Sequence, residues 1–245
     1  MDDHPEAVDW VEVPAGELVR GTPADTLDAV HATYADIGVP LGWLAKECPR
    51  SVVPVPGFRI SRVPVTIGLW NRFAGSTGAA VLAGPADYPV DGVPWPLAVA
   101  LCRWLTDETG QHVDLPTELQ WERAARGDDA REFPWGDTYD RRCANTRELG
   151  LNTYLPVGTL LRGASPFGVL DLGGNVDEWL RDEYFRYPGA PDAVPESEDW
   201  ALDRHMTRGG AFHHARDLAR CARRHGVYEG SATGRGAGIR LVVDD

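Results

Sequence analysis

The residues with the densest chemistry lie between Phe167 and Asp182, in the stretch FGVLDLGGNVDEWLRD. Asp171 and Glu178 are hard oxygen donors. An irregular turn around them also frees backbone carbonyls, and together these suit Ca²⁺. Gly173 and Gly174 permit positive φ and a close backbone approach. Neither a helical nor a strand period fits the stretch, so it reads as a loop. A Gly-rich loop whose acids are simply solvated is the alternative. A second group is histidine: His213 and His214 are adjacent, and His205 and His225 flank them. Imidazole titrates near neutral pH and binds metals, but a solvated loop histidine is the ordinary case. Arg216, Arg220, Arg223 and Arg224 form a basic run. Such a run can hold a carboxylate or phosphate, and salt bridges to the many acids are the simpler account.

These residues must be positioned by a chain of 245 residues with 19 prolines, 27 glycines and nine tryptophans. That mixture predicts much irregular backbone pinned by large apolar side chains, and it argues against a helix bundle. The formal net charge of −13 disfavours affinity for nucleic acid or anionic lipid and leaves cations and metal ions compatible. No apolar run approaches a membrane span. The beginning, MDDHPEAVDW, lacks the basic and apolar regions of a signal peptide. Cys48, Cys102, Cys143 and Cys221 are scattered with no C-x-x-C pair, which disfavours structural zinc. The expectation is a cytoplasmic protein with reduced thiols.

Val8 to Val19 reads as a short strand and turn. Asp25 to Ile37 reads as an amphipathic helix stopped by Gly38, and Leu41 to Pro56 as a packed loop. Phe58 to Ile60 and Val63 to Val65 read as a strand broken at Pro64. Thr66 caps a helix carrying Leu69, Trp70 and Phe73. A longer helix begins near Pro96 and ends before Gly110. In LPTELQWERAARG, Thr117 and Gln120 form a capping box and Gly127 follows the helix. Ile239 to Val243 reads as a last strand.

Several of these segments, in order, resemble one family. VPVTIGLWNRF, VPWPLAVALCRWL, LPTELQWERAARG, FPWGD, CANT, YLPVG, SPFGVLDLGGNVDEW, TRGGAF and GAGIRL are similar to the signatures of the formylglycine-generating enzyme (sulfatase-modifying factor) superfamily. The resemblance runs from about Pro14 to Val242 and implies one C-type-lectin-like domain of α+β class over residues 1–245. It implies structural Ca²⁺ held by the carboxylates of Asp171 and Glu178 and the carbonyls of Gly174 and Val176. Asn145 matches the asparagine of a second calcium site, whose aspartate partner has no match here, although Glu148 is nearby.

The chain also departs from that family. Formylglycine formation uses copper on two cysteines after RGG, and soft thiolates suit Cu(I). Here RGG is followed by AFHHARDLARCARR: the first cysteine position falls at or near His214, and the second has no cysteine. Cys102 and Cys221 match structural cysteines whose disulfide partners fall at Ala125 and Leu241. Ala211 stands for a serine and Asp177 for the tryptophan of GNVWEW. The pocket implied by the resemblance brings Asp177 near His213 and His214, although adjacent histidines point apart in extended backbone. Two imidazoles and a carboxylate are an iron-binding or acid/base set. The implied function is a small-molecule tailoring enzyme, with a metal-dependent (iron or copper) oxidase in view, and not a sulfatase activator. In the sulfoxide synthases of this superfamily the iron histidines lie largely in a separate helical domain, which 245 residues are not expected to include. A non-catalytic ligand- or protein-binding module is the alternative, and an orthodox formylglycine-generating oxidase the third reading. Oligomeric state is not legible.

Overall fold

The computed structural model describes residues 8–194, 205–226 and 237–244. Strands β1 (Trp10–Val13), β4 (Phe58–Ser61), β5 (Val113–Asp114) and β9 (Val242–Asp244) form an antiparallel sheet in the order β1-β4-β9-β5. β2 (Gly16–Arg20) pairs with β3 (Ser51–Val55). β6 (Glu178–Glu183), β7 (His205–Arg208) and β8 (His225–Gly226) form a third antiparallel sheet. The helices are α1 (Leu27–Thr33), α2 (Leu41–Ala45), α3 (Ile67–Thr77), α4 (Trp95–Thr109) and α5 (Glu118–Arg126). This is the expected α+β class. No helix among the described residues is long and apolar enough to cross a membrane.

Successive strand residues face opposite sides of a sheet, and β9 shows the consequence. Val243 joins one core with Trp70, Phe73, Leu101 and Trp179. Its neighbour Val242 joins another with Phe58, Trp121, Leu172 and Leu180. The helix caps follow the sequence: Thr66 Oγ1 accepts the Leu69 N–H at 3.2 Å, and the Thr117–Gln120 capping box is complete. The α4 helix begins at Trp95 and is closed by Gly110 at φ 69°.

Five expectations need correction. Leu41 to Pro56 is not all loop: it holds α2 and β3. The α1 helix is shorter than Asp25 to Ile37, with 3-10 turns on both sides. Val63 to Val65 is not a strand, and the last strand is Val242–Asp244, not Ile239 to Val243. The Phe167–Asp182 stretch is a turn only as far as Asp177, after which β6 begins. Glu178, Trp179 and Leu180 are all buried, so alternation, the usual mark of a strand, is missing.

Candidate active site

The β6–β7–β8 sheet positions the reactive groups. Asp177 immediately precedes β6. Glu178 lies opposite Arg208, and Thr207 lies opposite His225. After Arg208 the chain turns at Gly209 and Gly210, with φ of 96° and 73°. A Cβ on Gly210 would lie 2.7 Å from the Leu218 Cβ, so glycine is required there. The turn directs the Gly210 N–H onto Asp177 Oδ1 at 3.0 Å. The following residues make a second turn, in which the His214 N–H donates to the Ala211 carbonyl at 2.8 Å. That turn, not extended backbone, is why the adjacent His213 and His214 rings lie only 4.2 Å apart, centroid to centroid.

Among the described residues, one group of three ligating side chains converges: Asp177, His214 and His225. Each offers an atom within 4.8 Å of the others. His225 Nδ1 is 2.5 Å from Asp177 Oδ2, and His214 Nδ1 is 3.9 Å from the same oxygen. The Ala211 N–H donates to His214 Nδ1 at 3.0 Å, which leaves the proton of the neutral ring on Nε2. Asp177 is buried. Burial works against its charge, but the His225 and His214 rings and the Gly210 N–H outweigh it, and the carboxyl sits below the usual carboxylate range.

His213 lies outside this group of three, between Phe212 and His214. His225, which the sequence places beside this region as a residue that could join it but more simply as a solvated loop histidine, is the third member. Only the register of β7 against β8 brings it to Asp177, 48 positions away. His205 stacks flat on Trp95, 3.7 Å between centroids. The basic run is structural, as its simpler reading held. Arg220 contacts both Glu47 oxygens at 2.7 Å, Arg224 reaches Glu118 at 2.7 Å, Arg223 pairs with Asp217 and Arg216 with Asp36. All four cysteines are free and buried, and burial pushes the Cys221 thiol up to about 12. No reactive thiol therefore stands in for the copper cysteines.

The turn assigned to calcium is arranged unevenly. Glu178 is buried against Arg240, with Nη2 at 2.7 Å and Nε at 2.8 Å on its two oxygens, and it also accepts the Trp121 indole N–H at 2.6 Å. Asp171 accepts the Gly158 N–H at 2.6 Å. Burial is the chief cause that raises its carboxyl to about 6. Gly174, at φ 83°, lies against Asn145 so closely that a Cβ would be 2.4 Å from the Asn145 carbonyl. The Asn145 carbonyl accepts the Asn175 N–H at 2.7 Å, while Asn145 Oδ1 is buried with no hydrogen-bond partner among the described residues. The Val176 N–H donates to the Gly174 carbonyl at 3.0 Å.

The fold and this site define a lectin-like α+β scaffold that carries an Asp–His–His cluster. The chain belongs to the family described as "Sulfatase-modifying factor enzyme 1-like domain", which matches residues 2–245. The hercynine oxygenase of Mycolicibacterium smegmatis is 27% identical over 248 residues, covering 82% of this chain and 54% of that protein. The formylglycine-generating enzyme of Mycobacterium tuberculosis is 38% identical over 117 residues, covering 42% of this chain and 36% of that protein. The chain spans about half the length of the hercynine oxygenases it matches. Among solved structures, PvdO from Pseudomonas aeruginosa superposes with a TM-score of 0.74 at 24% identity, covering 96% of this chain and 94% of that one. That likeness supports the shared fold.

Proposed function

We propose that this chain is a small-molecule tailoring oxidase of a biosynthetic pathway, working at Asp177, His214 and His225, and not a sulfatase activator. The carrying observation is the buried Asp177 carboxylate with two imidazole nitrogens 2.5 and 3.9 Å from its Oδ2, where the family's copper chemistry would need thiolates. The hercynine oxygenase relatives support an oxidative role on this scaffold. The donor set fits a divalent metal of the iron type. The three ligating atoms lie within 4.8 Å of one another, and His214 Nδ1 would have to release the Ala211 N–H to reach an ion between them. Two histidines and one carboxylate with open positions favour non-haem Fe(II) over copper. When bound there, iron would bind and activate dioxygen, with the oxidised substrate as the net source of electrons. Asp177 Oδ1 stays fixed by Gly210, leaving Oδ2 for the ion.

The test is metal analysis of freshly purified protein with oxygen uptake on iron reloading. About one iron per chain, with uptake stimulated by a candidate substrate pool, is the expected result. Protein that takes up no redox metal under reducing, anaerobic loading would overturn it. The 2.5 Å contact between His225 and Asp177 favours one second reading, a metal-free dyad in which Asp177 orients His225 as a proton acceptor. A metal-independent activity lost in His225→Gln would select that reading. Calcium binding alone would select a non-catalytic binding module. The partner is a small molecule in every catalytic case, and the four free thiols support a reducing, cytoplasmic setting.

Calcium is part of the same proposal, in a restricted form. The Asp171 carboxyl, and separately the orphaned Asn145 Oδ1 at the second expected site, are hard oxygens that a cation would satisfy. Glu178, facing Arg240, does not fit as a ligand without giving up that pair. Calcium at several times its Kd is expected to raise the thermal midpoint by a few degrees through mass action. Asp171→Asn is expected to remove that shift, while Glu178→Gln destabilises with or without calcium. Equal midpoints in calcium and in EGTA would rule the site out.

A further inference from the structure

The Asp177 site is one end of a continuous aromatic wall. His214 stands beside His213, His213 beside Phe212 at 5.0 Å, and Phe212 edge-to-face against Tyr154 at 4.6 Å between centroids and 74° between planes. Phe212 is fixed by its N–H, which donates to the Asn175 carbonyl at 3.1 Å. At the far end, the Tyr154 hydroxyl donates to Asp91 Oδ2 at 2.5 Å. Asp91 lies in the loop before α4, two residues from Val93, which bridges to Ala237. Ala237 precedes Gly238, whose N–H donates to the Asp177 carbonyl at 2.7 Å. Backbone and aromatic contacts thus tie Asp91 to the Asp177 site by two separate routes.

Asp91 is half-buried, and among the described residues its partner is the Tyr154 hydroxyl and no cation. This differs from four buried glutamates of the interior. Glu47, Glu118, Glu122 and Glu178 are each matched by an arginine. Asp91 is held in place by a neutral donor, so among the described residues its negative charge is positioned but not paired with a cation. Tyr154 and Phe212 add two aromatic rings packed edge-to-face beside it, and aromatic quadrupoles attract cations. A fixed carboxylate beside aromatic faces in a strongly acidic protein favours a positively charged nitrogen over its neutral counterpart.

We propose that Asp91, Tyr154 and Phe212 form a subsite for a cationic nitrogen, so that the small molecule handled at Asp177 carries an ammonium group next to an apolar or aromatic body. This rests on the reading of Asp177, His214 and His225 as the working site, but it is tested separately. Benzylammonium and benzyl alcohol serve as charged and neutral probes of the same shape, with binding followed by protein NMR or calorimetry at fixed ionic strength. Benzylammonium is expected to bind at least about tenfold more tightly than the alcohol. Asp91→Asn is expected to erase that preference while leaving metal content and thermal midpoint unchanged, and Asp177→Asn is expected to retain it. Equal binding of the two probes, no saturable binding of benzylammonium, or a preference that survives Asp91→Asn would each overturn the subsite. If wild-type protein takes up no redox metal but keeps the Asp91-dependent preference, the oxidase reading falls and the subsite stands.

Discussion

Glu118→Ala is expected to cost about 3–5 kcal/mol of folding free energy, the scale of breaking a buried ion pair from one side. In a chain of this size that lowers the thermal midpoint by roughly 10 °C. Glu118 opens α5 and is buried. It accepts from Arg208 Nη2 at 2.6 Å and from Arg224 Nε at 2.7 Å. Removing it strands two buried guanidinium groups. Arg208 would keep Glu122 at 3.1 Å and the Cys221 carbonyl at 2.6 Å. Arg224 would keep the Lys46 carbonyl at 3.0 Å and the Tyr187 ring at 3.9 Å. The loss is therefore large but not total.

The acid limb of stability checks the same prediction. Burial alone would raise the Glu118 carboxyl, but the Arg224 and Arg208 charges outweigh it and hold the group at about 2, against an ordinary value of 4.5. A carboxyl depressed on folding stabilises fully above its unfolded pKa and loses that contribution as pH falls through the folded value. Denaturant unfolding of wild-type protein should therefore lose stability between about pH 5 and pH 2, and Glu118→Ala should flatten that slope. A variant within about 1 kcal/mol of wild type at pH 7, with an unchanged slope, would show that the charges are satisfied elsewhere. The site should also respond. Arg208 leads into the Gly209–Gly210 turn and Arg224 immediately precedes His225, so Glu118 ties together both segments that face Asp177.

What the sequence reveals of this molecule depends on how local the cause is. The α5 capping box is legible because Thr117 and Gln120 are three residues apart and satisfy each other's backbone neighbours. Gly38 and Gly110 are legible as helix stops because each occupies the left-handed region where glycine has no steric cost. The five-residue α2 helix is too short to show a period and follows Pro40. The β6 strand buries three successive residues, which removes the alternation that would mark it. The chemistry divides in the same way. Asp177 is visible as an acid where the family has tryptophan, and His214 as an imidazole near a copper cysteine position. His225 is visible only as a flanking residue, because its place is set by antiparallel pairing with Thr207 across a long connection. The Asp91–Tyr154 contact spans 63 positions and belongs to no motif. The Arg240–Glu178 pair likewise appears only when segments 62 positions apart meet, since Glu178 alone reads as a calcium ligand.

Asp177→Asn is expected to lower iron affinity by more than about 100-fold, beyond the 10–100-fold typical of losing a group that only orients a ligand. The amide keeps the shape of the carboxyl, and its oxygen still accepts the Gly210 N–H, so the turn after RGG is retained. What disappears is the negative charge that the ion needs beside two neutral imidazoles. His225→Gln and His214→Gln should each lower affinity comparably, because each removes one of three converging donors. His213→Ala is the informative control: its ring touches His214 but lies outside the converging three, so iron content should hold near wild type. Anaerobic titration with Fe(II), followed by the metal's magnetic or absorption signature, reads all four variants without depending on turnover. Equal losses in His213→Ala and His225→Gln would mean that the two rings exchange places on binding. Unchanged affinity in Asp177→Asn would move the metal away from this carboxylate altogether, and the Asp177–His225 pair would then act as a proton relay whose loss appears in a pH–rate profile.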